Sequence, residues 1–299
     1  MYDSKDPRVD MAPRSDRPAA TAYADPEIIN FHDIEPRVSL DGVRTWYARG
    51  QNFILAYSEA QGDCRLPRSD QADEYTVIYL DGGGDVEITA GSETQAAGPN
   101  SLAFVPPGGS EVRLTRGGRV IRMFTTASTD LLALCSNAQS YETAHPNVAP
   151  FKPWPAPKGG YRLRFYDMNV PLQEGRFGRI WRGSNFMVNL LAAKEGPRDI
   201  ARMSPHSHDD FEQCSFASTG EFVHHLRWPW TTNLNMWKDD VHELMNSPSM
   251  IVIPPLSIHT TQATGHGINR LIDIFCPPRV DFSSKPGWVL NEDDYPVDL

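Results

Sequence analysis

The sequence is poor in cysteine and has no long apolar run. It contains four cysteines in 299 residues, and no two of them form a CxxC pair. No apolar stretch approaches the roughly 18 residues that a membrane-spanning helix needs. The first residues, MYDSKD, lack the basic and then apolar pattern of a signal peptide. We therefore expect a cytoplasmic protein with free thiols and no membrane partner.

Positive charge is also scarce. The chain has 28 Lys and Arg residues against 38 Asp and Glu residues, a formal net charge of −10. This acidic balance argues against a nucleic-acid partner, because phosphate backbones are bound by basic surfaces. The hydrophobic fraction of 40% is too high for a disordered chain. The 25 prolines and 22 glycines follow no period and predict many turns and few long helices.

Segments that favour β-strands dominate the chain. Residues 75–80 (YTVIYL) are typical of these short runs, which are β-branched or aromatic and end at glycine, proline or polar clusters. The clearest helical pattern is short, at residues 130–134. Residues 1–26 are polar and rich in proline and alanine, and we interpret them as an extended arm. Residues 145–160 contain five prolines and end in two glycines, which indicates a linker.

The second half of the sequence repeats the first. Three pairs of segments recur in the same order: RGQNF at 49–53 and RGSNF at 182–186, EY at 74–75 and EQ at 212–213, FVPP at 104–107 and VIPP at 252–255. Their separation grows from 133 to 148 residues along the chain, as insertions in a duplicated domain require. We predict two tandem copies of one all-β domain, built as a barrel or jelly roll.

Three histidines of the second copy have the spacing of a metal site. His206 and His208 alternate, so on a strand both side chains would lie on the same face. His259 follows a Pro-Pro turn and supplies a third imidazole. Imidazoles are good ligands for divalent transition metals. Strict alternation from His206 and His208 favours Glu212 as a fourth ligand.

These residues resemble the cupin superfamily. Its pattern is HxH, a Glu, Gln or His a few residues later, then a glycine, and finally a histidine after a turn that contains proline. The resemblance implies two tandem cupin-like double-stranded β-helix barrels, at 27–144 and 161–299, with few short helices. It further implies one divalent transition metal (Fe, Mn, Ni, Zn or Cu) in the second barrel. Counting back from Gly220 places the family's fourth ligand at Gln213, with Glu212 as the alternative.

The second barrel also resembles cupins that act on unsaturated uronates. The string of residues 206–213 and the tail Pro277-Pro-Arg-Val-Asp-Phe282 carry this likeness. The resemblance implies a metal held by three histidines and a glutamine. Cupins often pair through adjacent barrels, so it also implies a homodimer.

The first copy lacks these ligands. The positions that match the three histidines and Gln213 in the sequence repeat are Arg68, Asp70, Tyr75 and Glu111. None of the four is a histidine, so we expect the first barrel to bind no metal and to serve a structural role or build a dimer. Residual binding of a ligand through Arg68 is the alternative.

Other residues of the second copy are candidates for catalysis and substrate binding. Glu212 and one of the histidines after the motif, with His225 preferred over His224, are our candidates for the acid or base. We predict that a loop at the barrel mouth contacts the substrate through Arg227, Trp228, Trp230 and Trp237.

The function expected from these residues is metal-dependent catalysis. The ion would act as a Lewis acid in an isomerisation or elimination on a small polar, carbohydrate-like or carboxylate-like substrate. One alternative is a dioxygenase that acts on an enol or aromatic diol. The other is a cupin that binds a metabolite without turnover.

Overall fold

The computed structural model describes residues 20–40 and 42–297. Residues 1–19, most of the predicted N-terminal arm, lie outside the described residues. The structure is built mainly from short strands. Its two α-helices, α1 (Thr129–Leu132) and α2 (Val280–Ser283), have four residues each. The predicted all-β class with few short helices is confirmed. In the part of the chain that is described, no helix is long and apolar enough to cross a membrane.

The first barrel consists of a seven-stranded and a four-stranded antiparallel sheet. The seven-stranded sheet has the order β12 (Arg164–Asp167), β9 (Ser101–Val105), β6 (Tyr75–Asp81), β11 (Gly118–Thr125), β4 (Phe53–Ala60), β3 (Val43–Arg49) and β2 (Val38–Leu40). The four-stranded sheet has the order β5 (Cys64–Gln71), β10 (Gly108–Leu114), β7 (Val86–Ala90) and β8 (Glu93–Ala97). Apolar side chains from both sheets form one core between them.

The second barrel repeats this plan. Its larger sheet has the order β1 (Glu27–Asn30), β19 (Ser249–Ile253), β16 (Gln213–Thr219), β21 (Ile268–Phe275), β14 (Met187–Leu191) and β13 (Gly178–Arg182), with β15 (Lys194–Glu195) also beside β21. The smaller sheet has the order β18 (Val241–Asn246), β17 (Glu221–Arg227) and β20 (Ile258–Ala263).

The larger sheets of the two barrels share a core. Leu55, Ile78 and Met123 of the first barrel belong to the same buried cluster as Phe216 and Ile272 of the second. A central strand such as β6 is therefore covered on both faces, by the core of its own barrel and by the partner barrel. This explains why YTVIYL is apolar almost throughout rather than alternating.

Each barrel contributes one strand to the other. Strand β1 comes before the first barrel in the chain but pairs with β19 of the second, and β12 pairs with β9 of the first. The predicted boundaries 27–144 and 161–299 misplace these two strands, because pairing partners far apart in sequence leave no local signal. Residues 145–160, the predicted linker, contain no strand or helix.

The repeated RGxNF segments form matching turns at the interface of the barrels. Glu212 of the second barrel accepts hydrogen bonds from the backbone N–H of Gln51 (2.6 Å) and from the Tyr141 hydroxyl (3.1 Å). Glu74 of the first barrel accepts the equivalent bonds from the backbone N–H of Ser184 (2.7 Å) and the Tyr295 hydroxyl (2.8 Å). The recurring Glu and RGxNF segments thus stabilise the contact between the barrels from both sides.

Candidate metal centre

Three histidines of the second barrel converge at one point. The backbones of His206 and His259 form an antiparallel bridge, with N···O distances of 3.1 and 2.8 Å, so their side chains are neighbours. The ring centroids of His206, His208 and His259 lie 4.4–5.1 Å apart. One nitrogen from each ring lies within 4.8 Å of the others. His208 and His259 are buried and His206 is exposed, so the cluster opens on one side.

The hydrogen bonds of these rings leave nitrogens free for a metal. Nδ1 of His206 donates to the carbonyl of Ser204 (3.0 Å), and Nδ1 of His259 donates to the carbonyl of Ser257 (3.1 Å). These bonds fix the tautomer that leaves the lone pair on Nε2. Nε2 of His259 is buried without a hydrogen-bond partner. An unpaired buried ring nitrogen beside two other imidazoles fits a divalent transition metal.

The buried histidines are neutral at neutral pH. Burial, together with the positive charge of Arg279, lowers the pKa of His208 to about 3. Burial and the neighbouring His206 lower the pKa of His259 to about 4. Metal ligation requires the neutral imidazole, so both rings are already in the form that binds a metal.

Gln213 is held with its carbonyl oxygen towards the cluster. Its Oε1 lies 2.8 Å from Nε2 of His208. Its Nε2 donates to Oγ of Ser215 (2.9 Å) and to Oδ1 of Asp273 (3.1 Å). Oγ of Ser215 also donates to Oδ1 of Asp273 (2.5 Å). Burial raises the pKa of the Asp273 carboxyl group. Asp273 and Ser215 thereby fix which end of the amide faces the histidines.

The structure places Glu212, the alternative fourth ligand and candidate catalytic group, away from the histidine cluster. Its carboxylate points to the interface of the barrels, where it also accepts a hydrogen bond from Nδ1 of His145 (3.0 Å). The alternation expected from His208 fails because residues 209–212 lie in a loop before β16 begins at Gln213. The choice of Gln213 from the glycine spacing agrees with the geometry.

The structure also does not bring His225, the candidate acid or base, into the barrel interior. The residues of β17 that face the barrel interior are Phe222, His224 and Leu226, which are buried. His225 lies on the outer face, where its Nδ1 is 2.7 Å from Nδ1 of His242. His224 faces inwards and contacts the hydroxyl of Thr261 (3.0 Å). Its pKa is lowered to about 3 by burial.

The four predicted substrate contacts lie away from the cluster. Arg227 is exposed and forms an ion pair with Asp240 on the outer face. Trp228 is buried in a separate apolar cluster with Leu226. Trp230 and Trp237 stack on each other on the surface, with ring centroids 4.4 Å apart. The sequence alone could not show which side of the sheet this loop covers.

The histidines open into a cavity of about 600 Å³ with basic residues in an apolar wall. Arg279 packs over the ring of Phe282, at 4.1 Å from its centroid, and forms an ion pair with Asp281. Arg198 donates to the carbonyl of Thr261 (2.8 Å). Lys194 also lines the cavity. Three basic side chains thus line the cavity, one of them paired with Asp281, and this lining favours a substrate that carries a negative charge.

The sequence patterns described above do not point to Asp273, Arg198 or Lys194, and Arg279 figures in them only as part of the tail at 277–282. For Asp273 a signal exists in the sequence LIDIF at 271–275. A carboxylate inside an otherwise apolar strand is costly to bury without a polar partner, and so indicates one. Arg198 and Lys194 give no comparable signal, because basic residues in loops and short strands are usually solvated.

The equivalent place in the first barrel has no imidazole. Arg68 pairs with Ser110 across β5 and β10, as His206 pairs with His259. Tyr75, at the position of Gln213, forms a hydrogen bond with Ser110 (2.9 Å). The predicted match of Glu111 to His259 is wrong by one residue, since Glu111 forms an ion pair with Arg65 instead. Asp70, matched to His208, is exposed.

Solved structures with the same fold include carboxylate-processing enzymes. The oxalate decarboxylase of Lactobacillus farciminis, solved as a formate complex, aligns with a TM-score of 0.57 and 12% identity, over 84% of this chain and 86% of that chain. The oxalate decarboxylase of Bacillus subtilis, studied for its Mn(II) centres, aligns with a TM-score of 0.55 and 13% identity, over 87% and 81%. AerE from Microcystis aeruginosa aligns with a TM-score of 0.54 and 12% identity, over 82% and 97%.

Comparison with protein-family models found no match, and comparison with curated protein sequences found none either. At these levels of identity the structural likeness establishes the fold and leaves the reaction open. It spans both barrels, which agrees with the repeat in the sequence. The chain therefore has the same fold of tandem β-barrels as these structures, and this agrees with the two all-β barrels expected from the sequence.

Proposed function

We propose that this protein is a metal-dependent lyase or isomerase that acts on a small substrate with a carboxylate group. The observation that carries the proposal is the histidine cluster of the second barrel, which opens into a cavity lined by three basic side chains. The positions equivalent to two of these histidines in the first barrel are Arg68 and Ser110, so the machinery is confined to one barrel. Two structural neighbours are oxalate decarboxylases, which act on a carboxylate.

His206, His208, His259 and the carbonyl of Gln213 would hold one divalent metal. When bound, the metal supplies a Lewis acid that polarises an oxygen of the substrate. The chain's own residues do the rest of the binding. Asp273 orients the Gln213 amide, and Arg279 places a guanidinium beside the cluster to pair with the substrate carboxylate.

The phenylalanines of the cavity wall keep water from the reacting groups. Phe177, Phe222, Phe275 and Phe282 all line the cavity. In such apolar surroundings an arginine–carboxylate pair is stronger than in water, because the local dielectric constant is lower. The substrate that fits this site is small and anionic and has an oxygen free to face the histidines.

The metal site is tested with His206→Ala, since His206 is the exposed member of the cluster and its loss leaves the core packing intact. We expect elemental analysis of the purified protein to find close to one divalent metal per chain in the wild type and far less in the variant. His225→Ala is the matched control, because it removes an imidazole from the outer face of the same barrel. Equal metal content in all three proteins would contradict the site.

The reaction class is tested on the metal-loaded protein. We expect consumption of small carboxylates, such as dicarboxylates, 2-oxoacids and unsaturated uronates, without uptake of oxygen. Oxygen uptake with an enol or catechol substrate would instead support the dioxygenase alternative. Binding of a carboxylate with no turnover by the fully loaded protein would support the non-catalytic alternative.

A further inference from the structure

The first barrel encloses a cavity of its own. It has a volume of about 460 Å³, within the range of small-molecule sites. Val43, Leu66, Leu131 and the ring of Phe124 give it largely apolar walls. The metal-binding residues of the second barrel have no counterpart in this one, so a ligand here needs a different chemistry.

One charged side chain in this cavity, Arg122, has no anionic partner among the described residues, and its guanidinium carbon lies 5.8 Å from the ring centroid of Phe124 instead. Arg122, on β11, is only 4% exposed. Its Nε is buried without a hydrogen bond. Among residues 20–40 and 42–297, no hydrogen bond or ion pair of its guanidinium is found. A buried guanidinium that lacks an anionic partner is costly to the fold, so this position favours a bound anion.

The other charged residues of the cavity are all neutralised. Arg68 donates two hydrogen bonds to the carboxylate of Asp130, at 2.6 and 3.1 Å. Arg65 forms an ion pair with Glu111, and Asp63 forms one with Arg113. Only the guanidinium of Arg122 is left, so the cavity has one uncompensated positive charge in apolar surroundings.

Arg122 occupies the place that Asp273 holds in the second barrel. Asp273 lies opposite Ser215, two residues after Gln213, on the neighbouring strand. Arg122 lies opposite Val77, two residues after Tyr75, on the equivalent strand. The first barrel therefore has a cation at the position where the second has the carboxylate that supports the metal-site glutamine. This reversal of charge suits a barrel that binds an anion instead of a metal cation.

We propose that the first barrel binds a small organic carboxylate through Arg122. The carboxylate pairs with the free guanidinium, and an aromatic or branched aliphatic body packs against Phe124, Leu66 and Val43. A guanidinium binds a carboxylate through two parallel hydrogen bonds, which satisfies the buried donors. The apolar walls select an organic acid over an inorganic ion.

The test uses the full-length protein and phenylacetate as the probe, with phenylacetamide as its uncharged match. By titration calorimetry we expect the wild type to bind phenylacetate and not phenylacetamide. Arg122→Met removes the charge at a similar side-chain volume. It should weaken phenylacetate binding by at least about tenfold, the value of a hydrogen bond to a charged group. Arg227→Met, which removes an exposed cation from the outer face of the second barrel, is the control and should leave this binding unchanged. Arg198→Met, in the cavity of the second barrel, reports any binding of the probe there.

Three results would overturn the inference. The first is a wild-type protein that binds neither probe or binds both equally, which can be seen even if Arg122→Met fails to fold. The second is binding that survives Arg122→Met but is lost in Arg198→Met, since the probe would then occupy the second barrel. The third is equal thermal stabilisation by chloride and phenylacetate at the same ionic strength, since the apolar wall would then contribute nothing.

Discussion

Replacing Glu212 by glutamine separates the structural role of this residue from that of its neighbour Gln213. One oxygen of the Glu212 carboxylate accepts from the Gln51 N–H, and the other accepts from Tyr141 and His145. An amide keeps only one acceptor oxygen, so its NH₂ group must face a donor. We expect the Glu212→Gln protein to be less stable and to keep its metal.

The size of this effect follows from the lost contacts. Losing one hydrogen bond to a charged acceptor costs about 1.5–3 kcal/mol, and leaving a buried donor unsatisfied costs about 1–3 kcal/mol. Together these give a loss of about 2.5–6 kcal/mol in the free energy of unfolding. Glu74→Gln disturbs the equivalent carboxylate of the other barrel, which accepts from Ser184 and Tyr295, and should lose a similar amount.

The assay combines urea unfolding, followed by tryptophan fluorescence, with elemental analysis of both variants. We expect the two proteins to unfold at lower urea and to contain as much metal as the wild type. The reasoning is refuted if Glu212→Gln loses its metal at unchanged stability while Glu74→Gln keeps it. That pattern would make Glu212 a ligand.

Two further predictions concern the surroundings of the same carboxylate and of the metal site. Burial by itself lowers the pKa of His145, but the hydrogen bond and charge of Glu212 outweigh it and raise the pKa above the ordinary 6.5. The stabilisation from the His145–Glu212 pair is therefore present below pH 6.5 and is lost as pH rises through the raised pKa of His145. In urea unfolding experiments across this range, the free energy of unfolding of the wild type should decline, and that of His145→Gln should not show this decline. Asp273→Ala frees the Gln213 amide to turn, so metal affinity measured by competition with a chelator should fall about 10–100-fold. The affinity of Asp273→Asn should lie between those of the wild type and Asp273→Ala. An unchanged affinity in Asp273→Ala would mean that the amide is oriented by other contacts.

Much of the fold could be predicted because its signals are local or repeat along the chain. Short apolar segments between turns predicted the all-β class, and the recurrence of the RGxNF segment predicted two copies of one domain. The spacing of His206, His208 and His259 was enough to predict that their side chains meet, since it depends only on strand geometry and one turn. The spacing from Gln213 to Gly220 was likewise a property of a single hairpin.

The remaining features depend on which surfaces pack together, and a single sequence does not encode that locally. Alternation could not place Glu212, because a loop before β16 breaks the two-residue period. The pattern of β17 showed that His224 and His225 face opposite sides, but only packing decided which side is the interior. The exchange of β1 and β12 joins residues far apart in the chain. The sequence by itself therefore determined the two barrels and the histidine cluster. Only the tertiary structure decided what surrounds that cluster, and that Arg122 of the first barrel lies buried without an anionic partner among the described residues, because both depend on contacts between distant strands.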